Sequence, residues 1–156
     1  YMNNKLITLL YVFFFISCES TDKSPIFNNS FLENEIIYVV TMKSNGKTSD
    51  EISIFSRLYT ELIEYNEPYT YGWGFFQKGE NIMLIERYKN ESAALNHINN
   101  ISPGGNLEKQ FGQFINHFEI VEINVYGNIS DNLKTTINEF NIPTSYNSTI
   151  AKYSRE

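Results

Sequence analysis

Two histidines, His97 and His117, one cysteine, Cys18, and a scatter of carboxylates are the side chains available for proton transfer, nucleophilic attack or metal binding. So few imidazoles and thiols cannot assemble a metal centre with the usual ligand count, so no metal is expected. His97 sits at the edge of an apolar helical stripe formed by Ala94, Ile98 and Ile101. An imidazole there can shuttle a proton or hold a phenolic oxygen, and it can equally pack with a single hydrogen bond. Glu122 and Asn124 are a second candidate pair. They lie two apart in an alternating segment, which places them on one face with Phe118, Ile120 and Tyr126, opposite Val121, Ile123 and Val125. Among apolar groups a carboxylate pKa rises and suits base chemistry. An edge or interface salt bridge is the competing role.

Tyr69, Tyr71, Trp73 and Phe75 alternate with Thr70, Gly72, Gly74 and Phe76. Such a row can wall a pocket for a flat aromatic ligand, with Tyr71 and Trp73 touching it, although aromatic rows on strands more often serve a core or dimer interface. Glu86 and Arg87 point to opposite faces and are each free to find other partners. No P-loop, GxGxxG or GxSxG pattern occurs, so neither a bound nucleotide cofactor nor a serine nucleophile is supported.

The elements that must position these residues follow from hydrophobic period. Ile36 to Met42 is apolar and β-branched, reads as a strand, and is closed by Ser44-Asn45-Gly46. Thr48-Ser49-Asp50-Glu51 fits a capping box opening a helix with Ile52, Phe55, Leu58, Tyr59, Leu62 and Ile63 on its stripe. Two strands, Tyr69 to Phe76 and Ile82 to Tyr88, form a hairpin about Lys78-Gly79-Glu80-Asn81. A helix over 91–101, a further helical stretch ending near Ile115, a strand from Phe118 to Tyr126 and a Ser130-capped helix complete the pattern. The order β, α, β, β, α, β predicts an α+β domain of the ferredoxin-like split βαβ type, with an antiparallel sheet covered by helices on one face.

The N-terminus reads as an export signal. Asn3, Asn4 and Lys5 lead into an apolar run from Leu6 to Ile16, broken only by Thr8 and ending at Ser17-Cys18. The run is shorter than the ~20 residues that span a bilayer, and Ser17-Cys18 resembles a lipobox, so Cys18 is expected to carry a lipid and anchor the protein outside the cytoplasm. Residues 1–18 are then the signal, 19–34 a polar tether, 35–142 the folded domain and 143–156 a polar tail. With one cysteine no internal disulfide forms, so the fold rests on its core. Net charge is -6 with no basic block, which argues against nucleic acid as a partner.

Glu86-Arg87-Tyr88, Asn90-Glu91-Ser92-Ala93-Ala94 with His97, Val125-Tyr126-Gly127 and Ser130-Asp131-Asn132-Leu133 resemble, in order and spacing, the antibiotic biosynthesis monooxygenase-like family of the dimeric α+β barrel superfamily. The resemblance covers roughly Ile36 to Phe140. It implies a homodimer paired sheet to sheet, and oxidation of a small phenolic or quinol substrate without a cofactor. His97 or Glu122 would be the base, with Tyr71, Trp73 and Asn124 orienting the substrate. The second histidine of some members is missing, since Ser102-Pro103 stands in its place, which disfavours haem degradation. A non-catalytic dimeric protein that binds a small ligand or is associated with the envelope is the alternative.

Overall fold

The computed structural model describes residues 34–152. The signal, Cys18 and most of the tether lie outside them. Strand β1 (Ile36–Ser44) leads to α1 (Ser49–Asn66), the hairpin β2 (Thr70–Lys78) and β3 (Asn81–Tyr88), then α2 (Glu91–Ile101), α3 (Glu108–His117), β4 (Phe118–Tyr126), α4 (Asp131–Asn138) and β5 (Thr144–Asn147). The sheet order is β2-β3-β1-β4-β5. The first four strands run antiparallel in the ferredoxin-like arrangement. β5 pairs parallel with β4, making the open sheet mixed, and it arises in the segment read from sequence as a polar tail.

Local chemistry starts and stops these elements. Thr48 opens α1 with a complete capping box: its hydroxyl accepts from the Glu51 amide at 3.3 Å, and Glu51 accepts from the Thr48 amide at 2.8 Å. Asn90 and Ser130 cap α2 and α4 in the same manner. Gly127 follows β4 at φ 140°, where a Cβ would press on the Glu35 carbonyl at 3.1 Å, so only glycine turns the chain there.

Alternation then sorts the sheet into two faces. Ile36, Tyr38, Val40 and Met42 of β1, with Ile82, Leu84, Glu86 and Tyr88 of β3, point toward the helices and are buried. They meet Tyr59 and Ile63 of α1, Ala94 and Ile98 of α2, and Phe114 of α3 in one core. The other face carries the half-buried Ile37, Val39, Met83 and Ile85 beside the exposed Phe76 and Tyr126.

Two strands depart from simple alternation. In β4 the register with β1 shifts, so that Thr41 faces Glu122 while Met42 faces Ile120. Val121 is the extra residue of a β-bulge. Phe118 and Ile120 before it, and Ile123 and Val125 after it, all face the helices. Glu122 and Asn124 therefore turn to the open face, which corrects the grouping read from the sequence. In β2 the register shifts at Tyr71, between Thr70 and Gly72, and Tyr69 precedes the strand and is exposed. The expected four-residue aromatic row is thus reduced to Trp73 and Phe75, which pair with Glu86 and Leu84 and share their face.

Candidate functional site

Sheet register lays a polar row across an otherwise apolar core. Tyr38 of β1 lies opposite Glu86 of β3, and Glu86 lies opposite Trp73 of β2. The row behind it is Val40, Leu84 and Phe75. His97 comes down from α2, its ring centroid 5.2 Å from that of Trp73 and 5.6 Å from that of Tyr88. It is 6% exposed.

Glu67 fixes the imidazole. It caps the C-terminus of α1, its amide donating to the Ile63 carbonyl at 2.9 Å while its own carbonyl accepts from the Thr70 amide at 3.0 Å. Both backbone groups are tied, and the side chain is only 2% exposed. Its carboxylate accepts from His97 Nδ1 at 3.0 and 3.1 Å, from the Asn100 amide at 3.1 Å and from the Thr70 hydroxyl at 3.1 Å. A carboxylate accepting from Nδ1 selects the Nδ1–H tautomer and leaves Nε2 as the basic nitrogen. Among the described residues Nε2 has no hydrogen-bond partner.

The two buried glutamates are driven apart. Burial pushes the Glu67 carboxyl up, but hydrogen bonding and charge from His97, with the donors Asn100 and Thr70, outweigh it and hold the group below its ordinary range. Burial also dominates at Glu86, where the charge of His97 and one hydrogen bond, from Tyr88 Oη at 2.5 Å, do not compensate, and the carboxyl is pushed up. For His97, burial lowers the pKa, yet the hydrogen bond and charge of Glu67, with the charge of Glu86, raise it overall. One carboxylate is thus an ionised anchor for the imidazole and the other favours its neutral form. Such a separation is the usual mark of divided acid and base roles.

Glu86 and His97 border a cavity of about 70 Å³ between the sheet and α2, α3 and α4. Tyr38, Trp73, Glu86 and His97 supply its polar edge, and Ile98, Phe111, Phe114, Ile123, Ile137 and Phe140 much of its apolar wall. Tyr38 Oη and Trp73 Nε1 are buried there without a protein partner.

Of the residues singled out from the sequence, the cavity brings together His97 and Trp73. Tyr71 instead lines an outer groove with Thr60, Glu64 and Pro68. Trp73 borders both spaces, and Glu67 borders the outer groove. Glu122 is exposed and accepts from Thr41 at 3.3 Å, and Asn124 accepts from the Ser145 hydroxyl at 2.6 Å. Both belong to the face away from the cavity. Arg87 is also on that face, its Nε 2.7 Å from Glu35, so it forms no pair with Glu86. Cys18 lies outside the described residues. His117 stacks on Phe55 at 3.9 Å and donates to or accepts from no other site residue. Among the described residues no group of three or more His, Cys, Asp or Glu could hold a metal ion.

Sequence reading missed Glu67, Glu86 as a cavity residue, Tyr38, Tyr88 and Asn100. A signal existed for Glu86, the one carboxylate in the inward series Ile82, Leu84, Glu86, Tyr88. Asn100 lies one helical turn from His97, at i and i+3, a spacing that brings both to one carboxylate. Glu67 had no such mark.

No family model matches the chain, and no curated protein matches its sequence. Among solved structures, MupZ from Pseudomonas fluorescens is similar over 78% of this chain and 95% of its own, at 16% identity and a TM-score of 0.59. A conserved protein from Methanosarcina mazei Go1 covers 62% of this chain and 95% of its own, at 22% identity and a TM-score of 0.47. The first is a likeness of fold alone.

Proposed function

We propose that the domain binds a small phenolic or quinol molecule in the cavity beneath α2 and removes its proton through His97. The observation that carries this reading is the buried His97–Glu67 dyad, which ties up Nδ1 and leaves Nε2 as the basic nitrogen of a histidine that lines an apolar cavity. Glu67 is a positioning residue: it fixes the tautomer and stabilises the imidazolium that forms. The ligand proton passes to Nε2 and the electron pair stays on the ligand oxygen. An electron-rich anion of that kind reacts with dioxygen directly; a quinol surrenders two protons and two electrons to give the quinone and hydrogen peroxide. No resident cofactor is required.

A non-catalytic ligand-binding role is the second reading. It is favoured by the cavity's size, because the protein's own Tyr59, Phe111 and Phe114 fill much of the space. For either reading the open sheet face, with Ile37, Val39 and Ile85 at its centre, fits a second copy of the chain paired sheet to sheet. The Met2 to Cys18 segment fits a lipid-anchored position in the cell envelope.

The test is oxygen consumption with a panel of small quinols and phenols, comparing the native protein with His97→Gln and Glu122→Gln. Catalysis predicts turnover that His97→Gln abolishes and Glu122→Gln spares. Turnover untouched by His97→Gln sinks the base assignment, and binding without turnover leaves the second reading.

A further inference from the structure

The row Tyr38, Glu86, Trp73 holds more polar capacity than the protein itself uses. Tyr38 and Trp73 both line the cavity, and the Oη of one and the Nε1 of the other are buried without a hydrogen-bond partner. Nearly all buried polar groups in folded proteins are satisfied, because an orphan keeps its desolvation penalty uncompensated. The third such atom, Ser56 Oγ, lies on α1 away from this cavity. Two residues of one small cavity, on either side of a buried carboxyl, each with an orphaned polar atom, mark a place where the fold gives up stability to hold something.

The chemistry of the two donors narrows what that is. An indole N–H donates and never accepts, so Trp73 calls for an acceptor. A hydrocarbon leaves both groups unpaired, and a cation meets the positive end of the indole N–H dipole. Adjacent strands are about 4.8 Å apart, so Tyr38 and Trp73 start about 10 Å apart at the backbone, with Glu86 between them. Tyr38 stands edge-on to Tyr88 at 5.1 Å, which braces its ring. The cavity of about 70 Å³ is smaller than the ~150 Å³ that accommodates benzene. A single ring is therefore larger than the cavity as it stands, and its entry requires wall residues to move, Phe111 and Phe140 being half-buried ones 6.5 Å apart.

We infer that Tyr38 and Trp73 are ligand-recognition residues whose hydroxyl and indole N–H receive oxygen atoms of a compact acid, a single-ring phenol or an enolisable carbonyl of similar size. This inference rests on the reading of the cavity as a ligand site and adds the groups that orient the ligand and its chemical class. Binding by these donors is independent of the proton transfer assigned to His97.

Trp73 is the only tryptophan in the chain, so its indole N–H gives a single side-chain resonance of its kind in an ¹⁵N-correlated spectrum. Titration with 4-fluorophenol, followed by that resonance and by ligand fluorine NMR, is compared with titration by fluorobenzene, which has the same ring and no hydroxyl. The expected result is binding of 4-fluorophenol with a downfield shift of the indole proton, and weaker binding of fluorobenzene without that shift. Tyr38→Phe deletes one hydroxyl and no carbon, and a matching thermal melt verifies its fold. It should weaken 4-fluorophenol about 5-fold, the equivalent of one hydrogen bond of about 1 kcal/mol, and leave fluorobenzene unchanged. Equal affinity for the two probes, an equal loss for both in Tyr38→Phe, or no binding of either overturns the inference. His97→Gln separates it from the proton-transfer reading: that variant should still bind 4-fluorophenol while losing turnover.

Discussion

Replacing Glu67 by Gln removes the charge and one of two acceptor oxygens: a carbonyl in place of Oε1 still accepts from His97 Nδ1 and Asn100, while the NH2 in place of Oε2 faces the Thr70 hydroxyl, which must turn to accept. The lost quantity is the charge assistance of three bonds, at 3.0, 3.1 and 3.1 Å. Hydrogen bonds to charged groups contribute about 1.5–3 kcal/mol against about 1 for neutral ones, and relief from burying a carboxylate offsets part of the loss. The net destabilisation is about 2 kcal/mol, or roughly 8 °C in melting temperature for a domain of this size. Its pH dependence identifies the cause. Glu67 titrates below its ordinary 4.5 when folded, so its contribution is present above that value and fades as pH falls through the lowered folded pKa. His97 titrates above its ordinary 6.5 when folded, so its contribution is full below 6.5 and fades as pH rises through the raised folded pKa. The ion pair is therefore strongest between 4.5 and 6.5. Glu86, pushed up by burial, works the other way: stability falls as pH rises from 4.5 through its folded pKa. Burial, its main cause, is the same in both proteins and the Glu67 charge adds least to it, so most of that loss cancels in the difference. Denaturant titrations of both proteins across pH should give a difference of about 2 kcal/mol within the window and a smaller one at alkaline pH. A difference that is flat with pH, or absent, refutes the ion-paired dyad.

Turnover should rise with pH as His97 loses its proton, with the midpoint of that limb above 6.5 in the native protein and moved to lower pH in Glu67→Gln; initial rates across pH are the check. Asn124→Ala, like Glu122→Gln, should leave binding and rate unchanged, because both residues belong to the face away from the cavity. Leu84→Ala, at a wholly buried position beside the cavity, should cost about 2.7–5 kcal/mol in denaturant unfolding. Ile85→Glu places a charge at the centre of the open sheet face; the proposed sheet-to-sheet pairing predicts a dimer for the native protein and a monomer for the variant in light scattering.

The chemistry of this domain was unevenly legible in its sequence. Element order, and with it the ferredoxin-like α+β fold, could be read because each element carries its own period and caps, such as Thr48 with Glu51. His97 could be found because the stripe of α2 flanks it. Glu67 could not, because it lies at the junction of α1 and β2, where neither helical nor strand period applies, and its burial depends on α2, 30 residues away at His97. The β4 bulge was hidden for a different reason. Ile120-Val121-Glu122-Ile123 offers an apolar residue to the core in either register, so local pattern does not reveal where the strand slips, and Glu122 and Asn124 were assigned to the wrong face. Tyr38 was masked within a strand that is apolar almost throughout. Its significance comes from the neighbours that the sheet register gives it.

The most direct test is the ¹⁵N spectrum of the His97 ring across pH, with and without 4-fluorophenol. His117 is the only other histidine, so one His117→Gln spectrum assigns the signals. The dyad predicts an Nδ1–H tautomer when His97 is neutral, protonation retained above 6.5, and a ring that gains a proton at Nε2 as the phenol binds. An Nε2–H tautomer, or a titration that the phenol leaves unaltered, contradicts it.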